Sequence, residues 1–398
     1  MVQTNASGAG GTPGLRVIHL RAGNGVYGAE KVVHTLARAQ RVLGTDASVL
    51  CIERPGETVI SDYFRADGLL GGRIEFGGRV DLRALKNLRA ELLRAQPDVV
   101  HSHDYKSDLL LAALRPFLGK TRPALVATNH LWTQETRALR VYEKLDAVGM
   151  RALDRVVGVS TAICAEMRAA GVPARKLEVI VNGLEYPADE PPPARIDLRA
   201  QLGLAPKTGL VGFVGRLSVQ KGLGTLLDAV EKLPALDACF VLIGAGPLEA
   251  ELRQRIEAKG LSAKVILLGR RDDVPGLMRQ LDLLALPSVR EGTPLVLLEA
   301  MALGTPVVAS AVGGVGDIVV PGRTGLLFPS GDVPAFCALL KQSLGAPAER
   351  AEMAQRARED VRRRFSSAAM AGHYHALYTK ILAELGRPVR AARVAEAA

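Results

Sequence analysis

The chain has 398 residues, of which 48% are hydrophobic and 23% are charged, a composition that excludes a mainly disordered or fibrous protein. The length predicts two or three domains. The net charge of +10 indicates either a solvated basic surface or attraction to polyanions such as nucleotide phosphates, anionic lipid or nucleic acid. The 4% aromatic content disfavours a stacking platform for single-stranded nucleic acid.

The N-terminal segment 1–14, MVQTNASGAGGTPG, has no hydrophobic stretch and is predicted to be a loose terminus rather than a signal peptide. No run of about 20 uncharged apolar residues occurs, so no membrane-spanning helix is predicted. The cysteines are far apart and lack metal-ligand spacing, and we expect them to be reduced and buried in a cytoplasmic protein without structural zinc. They are Cys51, Cys164, Cys239 and Cys337.

The segment 15–185 alternates short apolar runs with longer amphipathic ones, which is typical of βαβ units around a parallel sheet. A strand is predicted at 15–20, a glycine-rich loop at 22–28 and a helix over 29–43. Further strands are predicted at 99–100, 124–128, 155–159 and 177–181, with Ser160 as the N-cap of the helix that follows the third of these.

The proline-rich segment 186–197, YPADEPPPARID, is predicted to be a linker, after which the same alternation begins again. Strands are predicted at 210–214, 239–243, 265–268, 283–286 and 306–310, with helices starting near 223 and 248 and a helix over 295–303. The second domain is therefore placed at 198–366, and the fold class is α/β with two doubly wound domains. Helices are also predicted at 334–345, 347–363 and 367–385. The last is expected to pack back on the first domain, with 386–398 as a flexible tail.

The stretch 287–301, PSVREGTPLVLLEAM, is the most informative part of the sequence. Thr293 is predicted to be a helix N-cap and Pro294 the first helical residue, which leaves open backbone N–H groups at 293–296 to bind an anion. The carboxylates of Glu291 and Glu299 suit the hydroxyls of an elongated ligand containing ribose or hexose. The ordinary alternative is one acid that stabilises the helix dipole and one buried glutamate.

A second constellation is 214–222, VGRLSVQKG, in which Arg216 directly follows a strand and Lys221 is expected to begin a helix. These cations lie at the carboxyl end of a parallel strand, where they would neutralise a diphosphate, although two surface cations are an equal alternative. The glycine-rich turns at 22–30 and 244–247 are weak indications of a phosphate site.

Polar residues follow the strands of the first domain, where catalytic groups often lie: His103, Asp104, Lys106 and His130. A single histidine is more often structural, so each carries modest weight. D-x-D, H-E-x-x-H and G-x-S-x-G motifs are absent, which disfavours dedicated metal catalysis and a serine hydrolase.

Over about 15–385, the chain resembles the retaining glycosyltransferases of family 4, which have the GT-B fold. The resemblance is carried by GVYGAEKVVHTLA (25–37), VVHSHDYKSDLL (99–110), VATNH (126–130), VVGVSTAI (156–163), VIVNGL (179–184), VGRLSVQKG (214–222), GAGPL (244–248), LPSVREGTPLVLLEAMALGTPVVAS (286–310) and GGVGDIV (313–319). It implies two Rossmann-like domains that face a central cleft. Gly316 and Asp317 depart from the family's GG-x-P-E pattern.

The resemblance implies a role for each matching residue. The diphosphate of a nucleotide-sugar donor would be held by Arg216 and Lys221, and the hydroxyls of the donor sugar by Glu291. The catalytic set would be Arg216, Lys221, Glu291 and His130, with His130 near the reacting carbon. Further donor contacts would come from Gly25, Gly28, Arg270, Gly292, Thr293, Pro294, Leu295 and Glu299, and Asp104 and Lys106 would lie on the acceptor side.

The implied reaction is metal-independent and cofactor-free transfer of a sugar with retention at the anomeric carbon, from a UDP-sugar before other donors. The implied acceptor is a sugar or a lipid-linked sugar, in bacterial polysaccharide, lipopolysaccharide or glycolipid synthesis. Because no residue is an evident nucleophile, same-face attack is favoured, with the departing phosphate oxygen taking the acceptor's proton. The basic first domain suggests peripheral binding to the inner face of an anionic membrane, with ordinary solubilising charge as the alternative.

Two other functions remain open: a GT-B nucleotide-sugar isomerase, which needs no acceptor, and a non-catalytic nucleotide-sugar-binding protein. Nucleic acid is not expected as a partner, because paired glutamates at the site would repel a polyanion.

Overall fold

The computed structural model describes residues 14–78, 81–119, 121–132, 137–186 and 194–387. The predicted loose N-terminus up to residue 13, linker residues 187–193 and tail residues 388–398 lie outside this part. The described residues form two compact units. The first unit takes its described residues from Met1–Val159, Cys164–Gly183 and Ser367–Ala398, and the second takes its described residues from Ser160–Ile163 and Leu184–Ser366.

The first unit is built from parallel strands that alternate with helices. Its strands are β1 (Arg16–Ala22), β2 (Asp46–Glu53), β3 (Leu70–Glu75), β4 (Val99–Ser102), β5 (Ala124–Asn129), β6 (Arg155–Gly158) and β7 (Leu177–Val179). Its helices are α1 (Gly28–Val42), α2 (Val59–Ala66), α3 (Leu82–Ala95), α4 (Tyr105–Leu114), α5 (Arg137–Ala152) and most of α6 (Thr161–Ala169), and the chain's last helix, α15 (Ser367–Glu384), also belongs to this unit.

The sheet of the first unit has the order β3-β2-β1-β4-β5-β6-β7, with every pair parallel. Every residue of β4 and β5 is buried, as expected for a parallel sheet covered on both faces. Since β1 lies between β2 and β4, the strand order reverses at β1, and ligands of doubly wound sheets bind at the carboxyl ends of the strands beside such a reversal.

The second unit repeats this design. Its strands are β8 (Gly209–Val214), β9 (Ala238–Ile243), β10 (Val265–Gly269), β11 (Leu283–Leu286), β12 (Val307–Ser310) and β13 (Leu326–Phe328). Its helices are α7 (Leu198–Gln201), α8 (Leu223–Lys232), α9 (Glu249–Ala258), α10 (Val274–Met278), α11 (Leu295–Ala302), α12 (Val315–Ile318), α13 (Val333–Gly345) and α14 (Pro347–Arg364). The parallel order is β10-β9-β8-β11-β12-β13, which places the reversal between β8 and β11.

Local structure differs from the prediction at two helix starts. Helix α11 begins at Leu295 with Pro294 as its N-cap, so Pro294 is not the first helical residue and Thr293 is not the cap. Proline also has no N–H to offer at that helix end. Lys221 ends a 3₁₀ turn over Val219–Lys221 instead of beginning a helix, and the left-handed Gly222 (φ 62°) caps α8.

Other expectations agree with the structure. The Ser160 hydroxyl accepts a hydrogen bond from the Ile163 N–H at 3.2 Å, as an N-cap does. All four cysteines are free and buried. Among the described helices, none is both long and apolar enough to cross a membrane.

Candidate active site

The candidate site of the second unit lies where the loops after β8 and β11 flank the reversal of strand order. The β8 loop carries Arg216 and Lys221, and the β11 loop carries Glu291. The Val289 N–H donates to the Gln220 carbonyl at 2.7 Å, so the backbones of the two loops are joined directly. Adjacent parallel strands therefore bring together residues that lie 70 positions apart in sequence.

Glycines allow these loop backbones to touch. A Cβ at Gly222 would lie 1.9 Å from the Pro287 carbonyl oxygen, and one at Gly313 (φ 51°) would lie 1.7 Å from the Glu291 carbonyl oxygen. Gly314 donates its N–H to the Gly292 carbonyl at 2.9 Å. The Cβ distances at Gly222 and Gly313 are too short for any side chain, so these positions require glycine. Backbone packing therefore holds the loop that carries Glu291 on both sides.

The centre of the site is an ion pair between Lys221 and Glu291. The ammonium donates to Oε1 of Glu291 at 2.7 Å, and the Ser288 hydroxyl donates to the same oxygen at 2.6 Å. Glu291 is 5% exposed, while the Lys221 side chain keeps 20% of its surface open. The Ser310 hydroxyl bonds the Ser288 carbonyl, which fixes the loop from β12. A fixed carboxylate and a partly open ammonium thus share one site.

The other predicted donor-binding residues are distributed around this pair. Arg216 is exposed on the β8 loop, and Arg270 is exposed directly after β10. Gly292 and Pro294 are buried, whereas Thr293 and Leu295 are partly exposed at the start of α11. Glu299 is half-buried in the second turn of that helix.

The glycine-rich loop of the first unit runs from the end of β1 into α1. Arg21 donates to Glu30 at 2.6 and 2.8 Å, and Glu30 accepts the Tyr27 N–H at 2.8 Å, which closes the turn. The atoms nearest to a Cβ at Gly25 would be those of the exposed Tyr27 ring, from 2.7 Å, and a Cβ at Gly28 would meet nothing within 4 Å. Neither glycine is required by the packing of the unit, which leaves the loop surface open to a close ligand.

Asp104 and Lys106 have contacts within the fold. Asp104 caps α4 through the N–H groups of Lys106 and Ser107, and its second oxygen accepts the Ala22 N–H at 2.7 Å. Lys106 lies over the Phe76 ring at 3.9 Å, and burial lowers the pKa of its ammonium. Asp104 therefore joins β1 to α4, and the side chain of Lys106 rests on an aromatic face.

His130, which is partly exposed, ends a row of imidazoles whose other members are buried. Its Nε2 lies 3.3 Å from His103 Nδ1, and His103 Nε2 lies 2.9 Å from His19 Nδ1. Burial lowers the pKa of His19 to about 4 and that of His130 to about 3, with Arg21 also lowering the latter. For His101 and His103, burial moves the pKa well below the usual range. All four rings are therefore neutral near pH 7.

Within the described residues, ligand atoms of His19, His101 and His103 lie within 4.8 Å of one another, close enough to hold a metal ion. In this structure each of their ring nitrogens has a hydrogen-bond partner. Those of His101 are Tyr378 and Thr128, each at 2.7 Å.

Several of these supporting residues carry no recognisable signal in the sequence. Ser288 and Ser310 are short polar side chains beside apolar strands, and such residues are common without any role. His19 and His101 differ, because a histidine inside an otherwise apolar strand is a readable signal of a buried polar contact. Their register, with His19 opposite His101 across β1 and β4, follows only from the sheet order.

The fold and candidate site define a class of protein: two parallel Rossmann-like sheets, one of which carries paired charges at the carboxyl ends of its strands. Profile comparison agrees, since Glycosyl transferases group 1 matches residues 194–360 and Glycosyltransferase Family 4 matches residues 26–186. The chain belongs to this glycosyltransferase family, whose fold is GT-B.

Individual relatives support the assignment. The 2-deoxystreptamine glucosyltransferase of Streptomyces kanamyceticus is 30% identical over 66% of this chain and 74% of the relative. An Escherichia coli protein named UDP-Gal:alpha-D-GlcNAc-diphosphoundecaprenol alpha-1,3-galactosyltransferase is 28% identical over 64% of this chain and 68% of the relative. The crystal structure of Anabaena Alr3699/HepE in complex with UDP matches with a TM-score of 0.78 at 23% identity, covering 92% of this chain and 100% of that one.

Proposed function

We propose that this protein transfers a sugar from a UDP-sugar to a hydroxyl of a sugar or lipid-linked sugar, with retention at the anomeric carbon and without a metal ion or cofactor. The observation that carries the proposal is the Lys221–Glu291 pair beside the strand reversal of the second unit. The UDP of the Anabaena structure and the diphosphoundecaprenol in the name of the Escherichia coli relative suggest the classes of donor and acceptor.

The two charges of the pair suit the two ends of such a donor. The Lys221 ammonium binds a phosphate oxygen, and Arg216 on the same loop supplies a second cation for the diphosphate. The Glu291 carboxylate accepts hydrogen bonds from sugar hydroxyls. Because backbone packing and Ser288 hold Glu291 in place, the groups are arranged before the substrate arrives, which is the condition for effective electrostatic stabilisation.

In the proposed step, the bond between the anomeric carbon and the diphosphate oxygen breaks while the acceptor oxygen attacks the same face of the sugar. The acceptor's proton moves to the departing phosphate oxygen, so the products are the glycoside and UDP. The negative charge that grows on the diphosphate is stabilised by Lys221 and Arg216. No protein nucleophile takes part, and the anomeric configuration is retained.

Removing either charge of the pair is expected to slow transfer strongly. Lys221→Ala and Glu291→Ala should each lower kcat on the order of 10²–10³-fold, the typical cost of losing one preorganised electrostatic contact. Lys221→Ala also leaves the buried Glu291 carboxylate without its cation, which lowers stability. The measurement is UDP release with acceptor present, together with the thermal midpoint of each variant.

The double variant Lys221→Ala/Glu291→Ala separates folding from chemistry. It removes both charges, so it should be more stable than at least one of the single variants and still inactive. Lys207→Ala removes an exposed cation just before β8 and serves as the matched control with normal turnover. A double variant that transfers sugar at the wild-type rate would overturn the site assignment.

Substrate and stereochemistry are tested on the wild-type protein. Calorimetry with a panel of UDP- and GDP-sugars should give binding to at least one UDP-sugar, and NMR of the product should show the donor's anomeric configuration. Turnover in excess EDTA should be unchanged. An inverted product, or the absence of heat with every nucleoside-diphosphate sugar, contradicts the proposal.

A lipid-linked acceptor requires access to a membrane surface, and α5 offers a suitable face. Val141, Leu145 and Val148 are each about half exposed at helical spacing. Exposed basic residues lie beside them on the same helix: Arg140, Lys144 and Arg151. An apolar stripe flanked by cations binds the headgroup region of an anionic bilayer. We propose that α5 docks on anionic lipid.

Liposome sedimentation tests the docking face. The variant V141S/L145S/V148S should lose binding to vesicles rich in phosphatidylglycerol, while Val42→Ser, which changes an exposed valine at the end of α1, should not. Equal binding to vesicles of neutral phosphatidylcholine would show that anionic lipid is not the partner.

A further inference from the structure

The imidazole row of the first unit has a direction. It starts at the side-chain amide of Gln40 on α1, whose Oε1 lies 2.8 Å from His19 Nε2. It continues from His19 Nδ1 to His103 Nε2 at 2.9 Å and from His103 Nδ1 to His130 Nε2 at 3.3 Å. We call these four residues the relay.

The Gln40 amide fixes which nitrogen of each ring carries the proton. Its Nε2 donates to the Tyr378 hydroxyl at 3.4 Å, so its Oε1 faces His19 and accepts. His19 must then be protonated at Nε2, and a neutral ring protonated there has only a lone pair at Nδ1. Since His19 Nδ1 accepts, His103 must donate from a protonated Nε2, and since His103 Nδ1 then accepts, His130 must also be protonated at Nε2.

The relay therefore ends on a lone pair. His130 Nδ1 is buried and has no hydrogen-bond partner among the described residues. The low pKa values of the rings agree with this assignment, because a neutral imidazole donates once and accepts once, whereas a protonated one would reverse or break the row. An unpartnered buried acceptor costs stability, which is offset when a ligand supplies the donor.

We propose that Gln40, His19 and His103 are positioning residues that hold His130 in its Nε2-protonated form, so that Nδ1 accepts a hydrogen bond from a hydroxyl of the sugar substrate. The inference rests on the proposed sugar transfer. It restricts the ligand chemistry, because Nδ1 selects a group that donates and rejects a phosphate or carbonyl oxygen that only accepts. A substrate deoxygenated at the contacted position should bind or react less well.

A metal-binding site is the alternative interpretation of these histidines, because His19, His101 and His103 lie close enough to bind one ion. Metal ligation needs the lone pairs of these rings. In the relay, the Nδ1 lone pairs of His19 and His103 already accept hydrogen bonds from the next ring. The Nδ1 lone pair of His101 accepts from the Tyr378 hydroxyl, which itself accepts from Gln40. The hydrogen-bonded arrangement therefore uses the nitrogens that a metal would need, and elemental analysis of the purified protein distinguishes the two.

The first test reads the protonation state directly and needs no activity. In ¹⁵N-histidine-labelled protein without ligand, long-range ¹H–¹⁵N spectra distinguish protonated from unprotonated ring nitrogens, and His130→Asn identifies the signals of His130. We expect Nε2 protonated and Nδ1 unprotonated in His19, His103 and His130. The opposite form at His130, or one equivalent of bound metal, overturns the proposal.

The second test changes the start of the relay. Gln40→Leu removes the acceptor and should mix the two forms of His130 and lower kcat on the order of tenfold, the effect of weakening one hydrogen bond by about 1.4 kcal/mol. Gln40→Glu keeps an oxygen opposite His19 and should retain the His130 form and most of kcat. Tyr374→Phe removes a buried hydroxyl that bonds Thr128 at 3.0 Å, outside the relay, and is the matched control.

The two tests separate the two proposals. A wild-type protein with the expected His130 form but no transfer would defeat the proposed function and leave the relay standing. Normal transfer by Gln40→Leu with an unchanged His130 form would defeat the relay and leave the function standing.

Discussion

Gly313 shows how one missing side chain supports the candidate site. Its φ of 51° is a left-handed value, and a Cβ there would lie 1.7 Å from the Glu291 carbonyl oxygen. We expect Gly313→Ala to displace the Glu291 loop, so that UDP-sugar affinity and transfer fall on the order of tenfold or more and the free energy of unfolding drops. Calorimetric titration with the donor and urea unfolding measure the two effects.

Gly322 supplies the control for Gly313. Its φ of 70° is also left-handed, but nothing lies within 4 Å of a Cβ there. Gly322→Ala therefore carries only the conformational cost of an L-residue at positive φ, about 1–2 kcal/mol. If both alanine variants lost the same stability and bound the donor equally well, the contact with the Glu291 loop would have no role in holding the site.

The individual site residues could be predicted from sequence more readily than their contacts. The motif positions indicated Lys221 and Glu291, and the structure brings the two together. That they bond one another and share Ser288 depends on contacts across the sheet, which a single sequence does not specify. The relay was missed for the same reason, since Gln40 and His130 come from widely separated segments.

At the scale of elements, α4 and α5 meet at a buried pair of carboxyl groups. Burial and the neighbouring charge of Asp146 raise the pKa of Asp108 well above its usual range, and burial raises the pKa of Asp146 to about 6. Ser102 donates to Asp108, and the Trp132 indole donates to Asp146 at 2.9 Å. The pair therefore holds protons that free carboxyl groups would lose.

The stabilising contribution of this pair is predicted to fall as the pH rises through about 4 to 6, whereas the row of histidines in the same unit, whose pKa values are lowered, adds stability over that range. The folded state holds the Asp146 proton more tightly than the unfolded chain, whose carboxyl has a pKa of 3.8, so the contribution is present at low pH and lost above the folded pKa. Trp132 is the chain's single tryptophan, so its fluorescence during urea unfolding at each pH reports on this region.

Asp146→Asn is the matched variant for the pH experiment. Its side-chain oxygen still accepts from the Trp132 indole, and its amide mimics the protonated acid. Its unfolding free energy, measured relative to the wild type at the same pH, should therefore increase between pH 4 and 6. An identical pH dependence in the variant and the wild type would show that Asp146 does not titrate in this range.

Strands could be predicted from the sequence where every residue of the strand is buried. β8, β9 and β11 are uninterrupted apolar runs, and the structure places strands there within a residue or two. Four elements between Asp46 and Ala95 were not predicted. In β3, two glycines break the apolar pattern of an edge strand. In α3 the signal was readable, since Asp81 caps the helix and Leu88 and Leu92 are buried at helical spacing.

At the scale of the whole molecule, the last helix in sequence belongs to the first unit. Helix α15 follows the second unit in sequence, yet it packs on α1 within the first. It also places the Tyr374 and Tyr378 hydroxyls on Thr128 and His101. Its buried side chains are Met370, Ala371, Tyr374, Leu377, Tyr378, Ile381 and Leu382. The first unit is therefore incomplete until α15 has been synthesised.

Truncation after Ser366 should consequently unfold the first unit and spare the second. Burying the large apolar side chains of α15 contributes about 1.5–3 kcal/mol each, a total on the order of 10 kcal/mol, comparable with the stability of a whole domain. Trp132 lies in the first unit, so its fluorescence should show no cooperative urea transition in the truncated protein, while circular dichroism should still show one from the second unit.

The matched control is truncation after Arg387, which keeps every described contact of α15, and this protein should unfold like the full chain. A sharp Trp132 transition at the wild-type midpoint after truncation at Ser366 would show that the first unit folds without its final helix.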